Sequence, residues 1–257
     1  MLRETCPPSR GSQRLIRIRY LFNPFTIATC IGRSTSIFTN LAILSSITNS
    51  VANKPMTSIL ALSLASYLAM YPALLFPPLL LLCHDQRQAQ LQNPNPKSKS
   101  KSTEISTLHF TAALSSVFVA GLAWLLYLSR LLTGSWEFIP STYGVALLLP
   151  DLTPNVGLWW YFFIEMFDSF REFFLGVFWL HLGGYVGGLC IRLRNQPLFV
   201  ITTMLGIFAV FKPYPGVSDT SLYFAMLPLY RHVFPRAYLP SLLSSSLPPF
   251  QMEEMIC

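Results

Sequence analysis

Apolar residues run along this chain in long, nearly unbroken blocks separated by short polar stretches. Met56–Cys83 and Leu108–Leu132 are the clearest, followed by Phe173–Ile191 and the shorter Pro197–Phe211; Phe25–Val51 and Thr220–Phe234 are weaker. A helical block of roughly 20 apolar residues matches the hydrocarbon thickness of a bilayer. Barrel strands would alternate polar and apolar residues over about ten positions, and these blocks are continuous. The pattern predicts an all-α polytopic membrane protein with about six spans, because only helices or closed barrels satisfy their backbone in lipid. Asn23 followed by Pro24 has the order of a helix cap and a first helical residue, which predicts a helix beginning near Phe25.

One stretch departs from this pattern. In LTPNVGLWWYFFIEMFDSFREFF, residues 152–174, four charged residues sit among aromatics: Glu165, Asp168, Arg171 and Glu172. At about 100° per residue a single helix over Leu158–Phe174 would place Phe163, Phe167, Phe170 and Phe174 on one face and Glu165, Asp168 and Glu172 on the other. Three carboxylates on one stripe are expensive in hydrocarbon, so the expectation is an amphipathic helix at the membrane surface rather than a lipid-facing span. Thr153-Pro154-Asn155 supplies turn and cap chemistry ahead of it. The acid stripe faces water, a partner subunit or a polar ligand cavity; no matched histidine stands beside it to make a metal site, and Asp168 and Arg171 are spaced to neutralise each other in part.

Composition supports the membrane reading, with 52% hydrophobic and 11% charged residues and a mean hydropathy of +0.47. The formal net charge is +7, but its distribution describes orientation rather than nucleic-acid binding. Arg3, Arg10, Arg14, Arg17 and Arg19 precede the first block; Arg87, Lys97, Lys99 and Lys101 lie in the polar loop; Arg192 and Arg194, then Arg231 and Arg236, follow later blocks. Threaded through six spans, these clusters fall on one side, which the positive-inside rule makes cytosolic. The expected organisation is a basic cytosolic segment 1–20 and a membrane domain 21–257, with a cytosolic low-complexity loop at 86–107 and a lumenal loop and amphipathic helix at 135–172. Arg33 lies inside the first block, either buried against a counter-charge or at the interface if the helix starts near Ile37. In FKPYPGVSD, Lys212 ends a block beside a proline turn, where a phosphate or acidic partner could sit.

No phosphate-binding loop, zinc-protease motif or nucleophile elbow occurs, and the four histidines are isolated. The five cysteines are scattered without metal or disulfide spacing. No cofactor and no metal are expected.

Four stretches in order, LFNPFTIATCIGRST (21–35), SWEFIPSTYG (135–144), PDLTPNVGLWWYFFIEMFDSFREFF (150–174) and FKPYPGVSDTSLY (211–223), resemble the PIG-U family of glycosylphosphatidylinositol (GPI) transamidase subunits. The resemblance runs from about Leu21 to Tyr238. It implies a multi-pass endoplasmic-reticulum protein in a complex whose catalytic cysteine belongs to a separate caspase-like subunit. It also implies a fold like the core of the dolichol-phosphate-dependent glycosyltransferases and a non-catalytic role in holding the GPI lipid or the attachment-signal peptide. The same resemblance makes the chain a central piece of a longer protein, with further spans on both sides. Candidate contacts to lipid or partner subunits are Asn23, Arg33, Asn155, Trp160, Tyr161, Glu165, Phe167, Asp168, Lys212, Tyr214 and Asp219. The competing readings are an active lipid-linked-sugar mannosyltransferase, which needs a lumenal carboxylate base, and a transporter, for which no inverted repeat is visible.

Overall fold

The computed structural model describes residues 18, 20–92, 107–148 and 153–230, and these residues are helical with no strand among them. The expected basic segment 1–20, the polar core of the 86–107 loop and the end of the Thr220–Phe234 block lie wholly or largely outside the described residues. The helices are α1 Pro24–Ile31, α2 Ser36–Val51, α3 Pro55–Leu68, α4 Phe76–Gln92, α5 Thr107–Thr133, α6 Val145–Leu148, α7 Leu158–Ile164, α8 Asp168–Arg192, α9 Pro197–Phe211 and α10 Val217–Met226. Of these, α5 and α8 are long and apolar enough to cross a membrane, with mean hydropathies of 1.8 and 1.6.

Two blocks that looked continuous in sequence are each broken. The Phe25–Val51 block is α1 and α2 joined by a turn in which Arg33 takes φ +50°. Asn23 caps α1 as its spacing implied, its side chain accepting from the Phe25 amide at 3.0 Å with Pro24 in the first turn. The Met56–Cys83 block is α3, a 3-10 turn over Tyr71–Leu75, and α4. Ala69 is extended (φ −150°, ψ 142°), and Pro72, Pro77 and Pro78 follow. Pro72 has no amide to donate to the Leu68 carbonyl and its ring would clash there, so α3 cannot run on although the hydropathy does not change.

That break reorganises the bundle. Gly121 of α5 lies against Ser63 of α3, and Tyr67 shares a hydrogen bond with Ser129, so α3 and α5 are parallel. Phe76 stacks on Phe118 at 4.6 Å, and Arg87 sits over the Phe110 ring at 4.5 Å, so α4 and α5 are antiparallel. The turn at Ala52–Lys54 and the loop after α4 therefore leave from the same end of the bundle; one continuous Met56–Cys83 span would have put them at opposite ends. The opposite end carries the 3-10 turn, the segment after α5, and the α9–α10 loop, because Phe208 lies 6.1 Å from Tyr71.

The core runs through α2, α3, α4, α8, α9 and α10, with Ile59, Leu62, Leu79, Leu182, Val200, Ile201, Met204 and Leu222 almost fully buried. Small polar residues let α2 approach α3 and α4 closely: Ser58 of α3 donates to the Ser46 carbonyl at 2.7 Å, and Ser50 meets Cys83 of α4 at 3.1 Å. Such residues satisfy their hydroxyls internally, which suits helices with no water beside them. A second, smaller core is aromatic: Trp159 and Phe163 of α7 pack with Leu175, Phe178 and Trp179 of α8.

Candidate functional site

The loop from Phe211 to Gly216 gathers four parts of the chain. Its start accepts from Trp159, whose Nε1 donates to the Phe211 carbonyl at 2.6 Å while the ring is completely buried. Asn155 Nδ2 donates to the Pro213 carbonyl at 3.4 Å, and the Asn155 Oδ1 accepts from the Gly157 amide at 2.7 Å. On the other side, Asn40 Nδ2 donates to the Ser218 carbonyl at 3.0 Å, and Ser218 Oγ bonds Ser36 Oγ at 2.8 Å. The chain therefore ties α2, the start of α7, and both ends of the α9–α10 connection into one polar node.

At the centre of the node Lys212 Nζ bonds both oxygens of Asp219, at 3.1 and 3.2 Å, with side chains only 23% and 16% exposed. Asp219 also accepts from the Gly216 amide at 3.0 Å, closing the first turn of α10, where a carboxylate complements the helix dipole. The pair is thus charge-neutral and structurally committed, rather than a lone cation offered to a phosphate. Tyr71, in the connecting turn, packs beside it between Trp179 and Phe208; burial pushes its phenol well above the ordinary value, and the Asp219 charge adds to this.

Gly157 stands where no side chain fits. A Cβ there would lie 2.6 Å from Asn155 Oδ1 and 2.7 Å from Pro215 Cδ. Next to it, Val156, Gly157, Leu158 and Tyr161 face Ala209, Val210, Pro215, Val217 and Thr220 across an open groove of about 450 Å³ that carries no charged side chain.

The continuous amphipathic helix expected over Leu158–Phe174 does not form. Helix α7 ends at Ile164, Glu165 is its C-cap, and α8 begins at Asp168 after the extended Phe167 (φ −66°, ψ 137°). The wheel fails because it assumed one axis. Phe163 is buried in the aromatic core, whereas Phe167 and Phe170 are 80% and 56% exposed. Glu165, Asp168 and Glu172 are all exposed, and no hydrogen bond or ion pair joins them to a described residue. Asp168 opens α8 eleven residues before Trp179, about 16 Å along the axis, so the acids do not share the Lys212 node. The apolar span also starts earlier than its hydropathy suggested, because an acid in the first turn is favourable.

Of the sequence candidates, the structure brings together Asn155, Lys212 and Asp219, with half-buried Tyr214 in the same loop and exposed Tyr161 on the groove. Trp160 is half-buried, with its Nε1 enclosed and unpartnered and its ring against Tyr161 at 5.1 Å. Asn23 is a helix cap. Arg33 is exposed in the turn before α2, which begins only at Ser36. Sequence reasoning missed Trp159, Asn40 and Tyr71. Asn40 was visible as one of two amides, with Asn49, in an apolar block, a signal that it finds a buried partner; nothing distinguished Trp159 from Trp160 until the helix axis was known.

No group of histidine, cysteine or acidic residues among the described residues is arranged to hold a metal. A helical bundle in which two helices are long and apolar enough to cross a bilayer, with most of their length left unburied, fits a membrane protein. Comparison with known families narrows this. The family described as GPI transamidase subunit PIG-U matches residues 4–247, and the chain belongs to that family. It is 38% identical over 219 residues to the human GPI-anchor transamidase component PIGU, covering 85% of this chain and 48% of that protein. It is 34% identical over 216 residues to the Saccharomyces cerevisiae GPI transamidase component GAB1, covering 84% and 50%. The chain spans about half the length of the curated relatives it matches.

Proposed function

We propose that this chain acts as a non-catalytic, multi-pass subunit of a GPI transamidase complex in the endoplasmic-reticulum membrane. The observation that carries the reading is family membership across residues 4–247. In this reading the bundle is built on the plan of the dolichol-phosphate-dependent glycosyltransferases, and the peptide-cleaving cysteine belongs to a caspase-like partner subunit. The end bearing Lys54, Arg87, Arg192 and Arg194 is cytosolic, joined there by Lys97, Lys99 and Lys101 of the polar loop. The end bearing the Lys212–Asp219 node is lumenal, where protein and GPI glycan meet.

The apolar groove beside the node supports a role in holding a neutral, flexible part of the GPI lipid or the signal peptide. Its volume falls within the range of small-ligand sites. A helix about 10 Å across would fit little more than one turn in that volume. The commitment of Lys212 to Asp219 makes the node a scaffold for the groove rather than a headgroup clamp.

The test is attachment of GPI to a reporter protein at increasing donor lipid, in cells carrying Val210→Trp to fill the groove. Reduced attachment that recovers at high donor, with the other subunits still co-purifying, supports lipid holding. Loss at every donor level with assembly intact would place chemistry in this chain and favour the mannosyltransferase-like alternative. Failure of the transamidase subunits to co-purify with the wild-type chain would overturn the reading.

A further inference from the structure

The groove beside the node has a depth as well as a volume, and α8 measures it. Between Glu172 and Arg192 that helix carries no Asp, Glu, Lys or Arg. Residues 173–191, about 27 Å of helix, are therefore the stretch that matches bilayer hydrocarbon about 30 Å thick. Trp179 lies six residues past Phe173, about 9 Å inside that stretch. Its ring meets Trp159 at 5.9 Å, and Trp159 in turn holds the Phe211 carbonyl. The end of α9 and the start of α7, which wall the groove, thus lie among lipid tails, below the charged tip of α8. Val210 and Val217 on the groove are 56% and 53% exposed, so the bundle leaves it open at this depth.

Depth restricts what can enter. An extended peptide in hydrocarbon needs partners for its amides and carbonyls, and Tyr161 and Thr220 carry the only polar side chains on the groove wall. A helix satisfies its own backbone, but little more than one turn fits the volume. A charged headgroup is expensive there. A hydrocarbon chain brings no polar group and leaves none unpaired. The walls are also held in place: Trp159 bonds Phe211 and Asn155 bonds Pro213, which joins the α7 side to the α9–α10 side before anything binds.

We infer that the groove is an acyl-chain site, taking one fatty-acyl tail of a lipid from the surrounding leaflet between Leu158 and Tyr161 of α7 and Val210 and Val217 of α9 and α10. This deepens the proposed lipid-holding role and rests on its membrane reading; it makes the tail, rather than the glycan or the signal peptide, the part that is held.

The test uses cells fed a fatty acid with a diazirine midway along its chain, so that membrane lipids carry the probe. The chain is photolysed either in membranes or after purification in detergent with its bound subunits, and adducts are mapped by mass spectrometry. Leu180, 76% exposed and one residue from Trp179 on α8, reports loose boundary lipid at the same depth. In membranes both Leu180 and the groove segments 156–161 and 209–220 should be labelled. After purification the Leu180 adducts should be lost and the groove adducts retained. Val210→Trp should abolish the retained adducts, and Val210→Leu should keep them. Equal loss at both places in the wild-type chain overturns the inference, whether or not the variants assemble. So does preferential labelling of the groove by an apolar signal peptide bearing the same diazirine. The adduct mass separates this site from the donor-holding role. A GPI adduct supports both, whereas a phospholipid adduct retained in the groove, with GPI attachment unchanged in Val210→Trp, upholds the acyl site and overturns the role.

Discussion

Two charged clusters in this chain look alike in sequence and behave as opposites in the structure. Lys212 and Asp219 flank a proline-rich loop; Glu165, Asp168 and Glu172 lie in an aromatic stretch. The first pair is mostly enclosed and cross-braced to α2, α7 and α10. The second group is exposed at a break between two helices. The difference lies in what surrounds each backbone. Around Lys212 the chain reverses direction, and its freed carbonyls need donors, which Trp159 and Asn155 provide. At Glu165–Asp168 the break is exposed, and no described residue answers the carboxylates. Charge in a hydrophobic sequence is therefore architecture in one place and surface in the other.

The largest effect should come from the buried tryptophan that braces the loop. Trp159→Ala should destabilise the fold by about 3–5 kcal/mol, because it leaves a cavity and an unpaired carbonyl at Phe211. Phe167→Ala, seven residues past Trp160 on an exposed break, should change stability by less than about 0.5 kcal/mol. Thermal denaturation in detergent followed by fluorescence size-exclusion measures both, and equal shifts would erase the contrast between the two regions.

Gly157→Val comes next, at about 3 kcal/mol, since its side chain meets Asn155 and Pro215 at distances no relaxed contact adopts. The same assay should show Gly134→Ala to be mildly unfavourable instead: that residue has open space around it but a φ of +75°. A Gly157 variant as stable as the wild-type chain would mean that the turn carries no structural load.

Asp219→Ala should be worth about 2 kcal/mol, removing two charge-assisted bonds from Lys212 and one from Gly216 in a partly enclosed site. Adding Lys212→Met should recover part of the loss, because the stranded ammonium goes with it. A double-mutant cycle reads this directly, and strict additivity would show that the pair does not couple.

Smallest of all, Glu165→Gln and Asp168→Asn should leave stability within about 0.5 kcal/mol of the wild-type value. Under the proposed function, any effect they have should appear only in GPI attachment or in recovery of partner subunits. A large loss of folded protein from either change would move these acids into the architectural class.

Much of the fold could be read from the chain. The long helix α5 was expected to within a residue at each end because nothing interrupts its apolar run; α9 matched its block, and Asn23-Pro24 marked the start of α1. The misses share one cause. Hydropathy reports affinity for lipid but does not register where the helix axis bends. It therefore merged α1 with α2 and α3 with α4, although prolines and a short polar turn lay in plain view, while the helical wheel merged α7 with the start of α8. Once the axis over residues 158–174 was taken as straight, Phe163 and Phe167 were assigned to one face, and the buried Trp159 went unnoticed.

Sequence alone determined the class of molecule, the family, and which segments are apolar enough to leave water. These properties follow from composition and local order, which each residue carries with it. Only the tertiary structure decided that Lys212 is answered by Asp219, that Asn155 and Asn40 reach the same loop from residues far apart in the chain, and that Gly157 has no room for a side chain. The physical reason is that a hydrogen bond or a contact depends on the position of two groups at once. In a bundle whose helices are all apolar, those positions are set by where the chain turns.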